Sequence, residues 1–286
     1  MPVTAVINRK GGSGKSTLAT HLAGYCASKG LRVMLGDVDQ QQSSIGWLRR
    51  RGAQPAASAA PVVGWAVESQ SLTRPPAGVT HVVLDTPGGL RGFELARVVV
   101  GADAILMPVG ASAFDRESAA ECYTELMTLP RVASGRCKVA LVGMRLDART
   151  GAGAQLEAWA AQRKLPYIGA LRETQVYVRC VEQGLTLFDL APSKAAADLA
   201  QWQPILDWVE SAWQAAERAT GTAKKEAARG APAAVVAARG PVPEPAFRPL
   251  REPSDVLDSR LLHESSDKAR RPTLAGRLGR WFTKAD

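Results

Sequence analysis

The chain has 286 residues, of which 46% are hydrophobic, so it can bury a sizeable core and is not disordered as a whole. Its formal net charge of +9 favours polyanionic partners such as DNA or anionic lipid. Residues 221–286 hold 13 basic and 8 acidic side chains, which places much of the excess charge in the last part of the chain.

The first predicted strand is the apolar run from Val3 to Ile7, and residues Ser16 to Ser28 predict a helix. Glycines in the turn between them let successive N–H groups face phosphate oxygens, and the helix N-terminus adds its positive dipole end. Lys15 is expected to pair with β- and γ-phosphate charge, and the Ser16 hydroxyl to bind Mg²⁺. The phosphate-binding residues predicted here are Lys10, Gly11, Gly12, Ser13, Gly14, Lys15, Ser16 and Thr17.

The second strand, Leu31 to Leu35, is followed by Gly36-Asp37-Val38-Asp39-Gln40-Gln41. Two carboxylates at the carboxyl end of a parallel strand lie where open α/β sheets place their chemistry. Residues Ser43 to Arg51 then predict a short helix with a basic end. Residues 52–61 predict a loop, and residues 62–78 support no firm assignment.

The third strand, His81 to Leu84, runs into Asp85. A buried strand that ends in an aspartate fixes this carboxylate opposite the serine of the phosphate loop, where it can bind Mg²⁺ directly or through water. Gly88 and Gly89 follow and predict a switch segment that senses a γ-phosphate.

The remaining strands are predicted at Ala102 to Val109, Val139 to Val142 and Pro166 to Ile168. A helix follows the first of these and runs to about Met127. Their alternation with helices predicts a doubly wound, mostly parallel α/β sheet of the P-loop NTPase class. Apolar residues at helical spacing between Asp198 and Glu217 predict a long amphipathic helix that closes the domain.

The phosphate loop departs from the usual pattern, because Arg9 replaces its first glycine and Lys10 opens it with a second lysine. This variant resembles the deviant Walker A motif of the ParA/MinD family of dimeric ATPases, and the chain is most similar to small ParA-type partition proteins. In that family the extra lysine, here Lys10, reaches the nucleotide held by the other subunit.

The resemblance implies a slow, partner-stimulated ATPase that uses ATP and Mg²⁺. Lys10, Lys15 and Asp39 match its catalytic positions, with Asp39 orienting the attacking water. Ser16, Asp37 and Asp85 match its metal site, with Asp37 supporting the Mg²⁺ shell. Two departures are visible: Gln40 replaces the usual proline, and Met144 or Arg145 stands where many relatives carry a base-contacting asparagine.

The resemblance also implies a homodimer in the ATP-bound state, non-specific DNA binding and an adaptor protein that stimulates hydrolysis. Such a protein positions a cargo, which is a plasmid, a chromosome or a protein assembly, and it is cytoplasmic and nucleoid-associated. Clustered cations are all that non-specific DNA binding requires. The candidates for this role are Arg145, Arg149, Arg172 and Arg179.

The predicted organisation is an ATPase domain over residues 1–217, an Ala/Pro-rich basic linker over 218–272 that is expected to be disordered, and a basic amphipathic helix over 273–286. The last segment keeps an alternative open. A MinD-like ATPase would place it on an anionic membrane, giving peripheral membrane association, and docking to a partner or a disordered terminus are the other interpretations.

A metabolic relative, either an amidotransferase-like synthetase or a nitrogenase-type reductase, is a further alternative. Against the reductase, no cysteine pair stands near Asp85 for a cluster, and against the synthetase, we expect no appended domain with a nucleophile and base. Its four cysteines show no zinc-binding spacing and predict reduced core thiols. We expect no signal peptide, and no apolar run approaches the ~18 residues of a membrane span.

Overall fold

The computed structural model describes residues 1–55, 60–66, 75–147 and 149–230. Within these residues one seven-stranded sheet has the order β3-β2-β4-β1-β5-β6-β7, and all neighbouring strands are parallel. This arrangement confirms the predicted doubly wound parallel sheet. The strands are β1 (Val3–Val6), β2 (Val33–Asp37), β3 (Val62–Ala66), β4 (His81–Asp85), β5 (Ala104–Val109), β6 (Lys138–Leu146) and β7 (Tyr167–Arg172).

Helices cover both faces of the sheet. They are α1 (Lys15–Ser28), α2 (Ser43–Gly52), α3 (Gly92–Gly101), α4 (Ala113–Thr128), α5 (Pro130–Ala133), α6 (Ala152–Gln162), α7 (Gln175–Glu182) and α8 (Pro192–Gly230), with a 3₁₀ turn at Leu187–Asp189. None of the helices in the described ranges is long and apolar enough to cross a bilayer.

The sequence pattern did not predict every element. β3 lies in residues 62–78, which had no assignment, and it pairs with β2 at the edge of the sheet. The last helix, α8, continues past the predicted end at Glu217 as far as Gly230, so the first part of the predicted linker is helical. The rest of that linker and the predicted helix at 273–286 lie outside the described residues.

The core has two apolar layers because successive side chains of a strand point to opposite faces. Val6 of β1 packs in the layer formed with α1, α7 and α8, whereas Ala5 and Ile7 pack in the layer formed with α3, α4, α5 and α6. All four cysteines are buried and form no disulfide, as predicted for core thiols.

Strand register brings Asp37, Asp85 and the start of the phosphate loop together at the carboxyl ends of the strands. Val6, the last residue of β1, lies opposite Asp85 of β4, and Asp85 in turn lies opposite Asp37 of β2. Because parallel strands all end at the same edge, the phosphate loop and both aspartates meet there.

A buried ion pair between Arg51 and Asp189 connects α2 to the 3₁₀ turn Leu187–Asp189, which precedes α8. Arg51 is 2% exposed, and its guanidinium donates two hydrogen bonds of 2.9 Å to the carboxylate of Asp189. The same group also donates to the carbonyls of Gly184 and Ala60. This network holds the basic end of α2 in a fixed position.

Removing one member of this pair should strongly destabilise the fold, since the other charge remains buried without its partner. We expect Asp189→Ala to lower the free energy of unfolding by roughly 3 kcal/mol, measured by urea denaturation. Asp207→Ala on the exposed side of α8 is the control and should change stability little. Equal stability of the two variants would show that the Arg51 network does not support the fold.

Candidate functional site

The loop between β1 and α1 forms an open cradle. Gly12 and Gly14 adopt left-handed φ angles of 69° and 97°, a conformation that glycine adopts without strain. A Cβ atom added at Gly11 or Gly12 would meet no atom within 4 Å, so free space lies above this part of the loop. The backbone N–H groups and the N-terminus of α1 can therefore approach an anion closely.

Two polar side chains hold this loop in place. Asn8 donates from Nδ2 to the carbonyl of Pro108 in β5 at 2.5 Å, and its Oδ1 accepts from the backbone N–H of Lys10 at 2.9 Å. The hydroxyl of Thr86, which follows β4, donates to the carbonyl of Val6 at 2.7 Å. Asn8 thus attaches the loop to β5, and Thr86 fixes the end of β1, where the loop begins.

Lys15 is buried beneath the cradle. Its side chain reaches back along the loop, and Nζ donates to the carbonyl of Lys10 at 3.1 Å. Burial lowers the pKa of Lys15, while the charges of Asp85 and Asp39 act in the opposite direction. A desolvated ammonium group of this kind gains strongly from a phosphate placed above it.

Asp85 is the buried carboxylate of the site, with 1% of its surface exposed. Its Oδ2 accepts from the hydroxyl of Ser44 at 2.7 Å, and its Oδ1 has no hydrogen-bond partner among the described residues. Burial raises the pKa of Asp85 to about 6, although hydrogen bonds from Ser16 and Ser44 and the charge of Lys15 oppose this shift.

These contacts fit a magnesium ion. Carboxylate and hydroxyl oxygens are the ligands that Mg²⁺ prefers, and the unpartnered Oδ1 of Asp85 lies in the same cluster as the Ser16 hydroxyl. A bound cation would also relieve the cost of keeping this carboxylate ionised. Asp85 and Ser16 are the side chains that would hold the ion.

Asp37 supports the site through the backbone. Its carboxylate accepts from the N–H groups of Asp39, Ser44 and Ile45 at 2.9 to 3.1 Å. Burial raises the pKa of Asp37, and these backbone hydrogen bonds counteract the shift. Because two of the donors lie in the first turn of α2, Asp37 fixes both this helix and the loop that carries Asp39.

The predicted phosphate-loop residues from Gly11 to Thr17 and Asp39 line one open cavity of about 520 Å³, whereas Lys10, Asp37 and Asp85 are not part of its lining. It is lined by Gly11, Gly12, Ser13, Gly14, Lys15, Ser16, Thr17, Asp39, Gln41, Ser43, Pro87, Gly88 and Arg145. Asp39 therefore faces the same space as the phosphate loop, as a residue that orients water for attack must do. The Ser13 hydroxyl is buried there without a hydrogen-bond partner in the described part of the chain.

The predicted switch segment touches the cradle directly. A Cβ added at Gly88 would lie 3.4 Å from the backbone of Gly11, and the N–H of Gly89 donates to the carbonyl of Arg9 at 2.6 Å. Movement of either segment must therefore alter the other.

Lys10 does not line this cavity. Its Nζ lies 2.5 Å from Oδ1 of Asp115, near the start of α4, and the hydroxyl of Ser112 donates to the other oxygen of Asp115 at 2.7 Å. Burial raises the pKa of Asp115, but hydrogen bonds from Lys10 and Ser112 outweigh it, and the net shift is downward. The extra lysine is held against its own chain beside the cavity.

Arg9 also binds α4, and its role was not predicted. Its guanidinium contacts Glu121 and Glu125, and Glu125 accepts from the N–H of Gly92 at the start of α3. Ser44 and Asp115 were likewise missed as site residues. Ser112 caps α4, because its hydroxyl accepts from the N–H of Asp115, but no local sequence signal marks the contact between Asp115 and Lys10.

The four arginines predicted to bind DNA have different surroundings in the structure. Arg149 binds Asp147 in its own loop, and Arg172 binds Asp198 of α8 through two hydrogen bonds. Arg179 is exposed on α7, whereas Arg145 lines the cavity. Arg50 of α2 donates to the carbonyl of Val181, which links α2 to the same helix α7.

Comparison with known families agrees with this geometry. A family model described as the CobQ/CobB/MinD/ParA nucleotide binding domain matches residues 4–188, which span the whole cavity. The chain belongs to this family. Its membership confirms the resemblance seen in the sequence and the predicted class of nucleotide-hydrolysing P-loop enzyme.

Two individual members of the CobQ/CobB/MinD/ParA family are similar to this chain along most of their own length. The maintenance of carboxysome distribution protein A of Gloeobacter kilaueensis is 29% identical, over 74% of this chain and 95% of that protein. The chromosome-partitioning ATPase Soj of Thermus thermophilus is 29% identical, over 54% of this chain and 73% of that protein.

A solved structure shows the same fold. McdA of Cyanothece, determined as an aspartate-to-alanine variant in complex with ATP, matches with a TM-score of 0.55 and 16% identity. The match covers 75% of this chain and 96% of that chain.

Asp85 gives this family member a testable pH dependence in metal-free solution. Burial raises the pKa of Asp85 from its usual 3.8 to about 6. The folded state therefore loses stability relative to the unfolded chain as pH rises through this interval and the buried carboxyl ionises. Asp85→Asn removes this charge, so its melting temperature in EDTA at pH 7.5 should exceed that of wild type by roughly 4 °C.

Differential scanning fluorimetry at pH 6 and pH 7.5 measures this effect. The gap between wild type and Asp85→Asn should narrow at pH 6, where much of Asp85 is protonated. Asp207→Asn, an exposed control, should follow wild type at both values. A variant that is less stable than wild type at pH 7.5 would contradict a destabilising buried charge.

Proposed function

We propose that this protein is an ATP-dependent switch that positions a cargo, with two subunits associating when ATP is bound and the dimer binding DNA non-specifically. The observation that carries the proposal is the position of Lys10. A lysine in the phosphate loop normally serves the nucleotide of its own chain, and Lys15, which lines the cavity, is the residue placed for this role. Lys10 lies outside the cavity, on Asp115 of its own chain, and in this proposal it moves to the nucleotide of a second subunit.

The relatives support the same class of function. Two of them are named for distributing carboxysomes and for partitioning chromosomes, which are both positioning activities. The family name also covers CobQ and CobB, but the chain aligns along nearly the full length of the carboxysome-distribution protein. The cargo of this chain is a plasmid, a chromosome or a protein assembly in this proposal.

Hydrolysis would depend on positioning and charge. The loop amides and Lys15 bind the phosphates, Ser16 and Asp85 hold Mg²⁺, and Asp39 orients the attacking water. Mg²⁺ supplies neutralisation of the charge on the phosphate oxygens. Asp37 acts indirectly, because its carboxylate accepts a hydrogen bond from the backbone N–H of Asp39 and so fixes the loop that carries Asp39. An adaptor protein that stimulates this slow reaction completes the proposed cycle.

DNA binding would use Arg149, Arg172 and Arg179 through phosphate contacts. Of these, Arg179 is the strongest candidate, because it is exposed, whereas Arg149 and Arg172 each bind an aspartate. The alternative of a membrane-bound switch depends on residues 273–286, which are outside the described residues.

The role of Lys10 can be tested through dimerisation. In an Asp39→Ala background that blocks hydrolysis, ATP and Mg²⁺ should convert the protein to a dimer, measured by size-exclusion chromatography with light scattering. Adding Lys10→Ala should abolish the dimer. Lys138→Ala is the control and should not, because Lys138 is an exposed lysine at the amino end of β6, far from the carboxyl ends that carry the site. A stable dimer without Lys10 would refute the proposed contact across the interface.

The role of Asp39 can be tested through turnover. Asp39→Ala should lower ATP hydrolysis at least about tenfold, with and without DNA, because the water is no longer oriented. Nucleotide binding should remain, since Asp39 does not hold the phosphates. Phosphate release assays on wild type, Asp39→Ala and Asp207→Ala give the comparison, and normal hydrolysis by Asp39→Ala would rule out this assignment.

A further inference from the structure

Arg9 replaces the usual first glycine of the phosphate loop, and the proposed reaction does not use its side chain. Arg9 is not among the described residues that line the phosphate cavity. Its side chain is 12% exposed and turns to α4, where it forms ion pairs with Glu121 and Glu125. Glu121 is 69% exposed, whereas Glu125 is 24% exposed. The pair with Glu125 is therefore the better shielded from solvent, and the stronger of the two.

Glu125 also binds the backbone that follows the switch segment. Its Oε2 accepts from the guanidinium of Arg9, and its Oε1 accepts from the N–H of Gly92 at 2.8 Å. The hydrogen bond from Gly92 is the main cause of the lowered pKa of Glu125; burial acts in the opposite direction, and Arg9 lowers the pKa further. One carboxylate thus joins the phosphate loop to the first residue of α3.

Arg9 consequently holds the switch segment at two points. Its backbone carbonyl accepts from the N–H of Gly89 at 2.6 Å. Its side chain reaches Gly92 through Glu125. Two residues lie between these two anchored positions, so the short chain from β4 to α3 is fixed to the phosphate loop along its length.

The anchored segment is the part of the chain that faces a bound terminal phosphate. Gly88 lines the cavity and packs against Gly11 of the loop. Gly89 and Gly92 have left-handed φ angles of 78° and 54°, and glycine loses more conformational freedom on ordering than any other residue. Because folding already anchors this segment, less freedom remains to be lost when a phosphate binds.

We propose that Arg9 is a positioning residue, which acts through Glu125 to hold the switch segment ready for the terminal phosphate of ATP. It thereby increases the preference of the site for ATP over ADP. ADP lacks the phosphate that the switch segment would contact, so its binding depends on the phosphate loop alone. This inference rests on the ATPase function proposed for the same cavity.

The test compares the affinities of ADP and of the non-hydrolysable analogue AMPPNP, each with Mg²⁺, by isothermal titration of the full chain. Arg9→Ala and Glu125→Ala should each weaken AMPPNP binding about fivefold or more, and ADP binding by less than about twofold. The titrations use concentrations at which light scattering shows a monomer with either nucleotide, so that association of subunits does not contribute.

Two further variants show whether Arg9 acts through Glu125. Glu121→Ala removes a contact of Arg9 but none of the switch segment, so it should keep the wild-type preference for AMPPNP. The double variant Arg9→Ala/Glu125→Ala should lose no more preference than either single variant, because both residues belong to one connection. Glu117→Ala, an exposed change on α4, is the matched control.

Hydrogen exchange without nucleotide gives a readout that does not depend on binding. Peptides that cover residues 88–92 should exchange faster in Arg9→Ala and in Glu125→Ala than in wild type and Glu117→Ala. If Arg9→Ala does not fold, Arg9→Gln, which keeps most of the side chain but not its charge, takes its place in every comparison.

Three results would overturn the inference. If Arg9→Ala weakens ADP and AMPPNP binding equally, Arg9 only supports the phosphate loop. If Arg9→Ala loses the preference and Glu125→Ala keeps it, Arg9 does not act through Glu125. If exchange at residues 88–92 is unchanged in both variants, the pair does not hold the switch segment. Failure of wild type itself to bind either nucleotide would instead refute the proposed function.

Discussion

The buried carboxylate of Asp85 is the constraint on which the rest of the site depends. It lies at the carboxyl end of β4, next to β1 on one side and β2 on the other, and the hydroxyl of Ser44 in α2 donates to it. A carboxylate that is 1% exposed stays ionised only if cations and hydroxyls surround it. Lys15, Ser16 and Ser44 meet this requirement only partly, so the site as folded favours the arrival of a further cation.

The cradle is connected to its surroundings by charge as well as by backbone. Its two leading residues, Arg9 and Lys10, both bind acidic side chains of α4, and Gly89 of the switch segment bonds to the carbonyl of Arg9. Replacement of the usual glycine by Arg9 therefore has a structural consequence. Arg9 attaches the phosphate loop to α4, and no residue of α4 lines the phosphate cavity.

The parts of the site that could be predicted are those encoded in short segments. The loop from Lys10 to Thr17, the pair Asp37 and Asp39, and Asp85 each follow a strand, and parallel pairing alone brings strand ends together. Contacts between distant segments could not be predicted, because nothing local specifies them. Ser44 bonding to Asp85 and Lys10 pairing with Asp115 are of this kind. Arg145 lies where the pairing of β6 with β7 shifts register, which no sequence pattern marks. The strand β3 was missed because its five residues, Val62–Ala66, include a glycine and show no alternation of polar and apolar residues.

The contact between Lys10 and Asp115 has a thermodynamic consequence for any assembly that uses this lysine. Lys10 must leave one anion before it can reach another, so association exchanges ion pairs and creates none in excess. The net free energy of such an exchange is small, and modest changes in the bound ligand can then reverse it. A lysine already held by its own chain thus suits an assembly that must form and dissolve repeatedly.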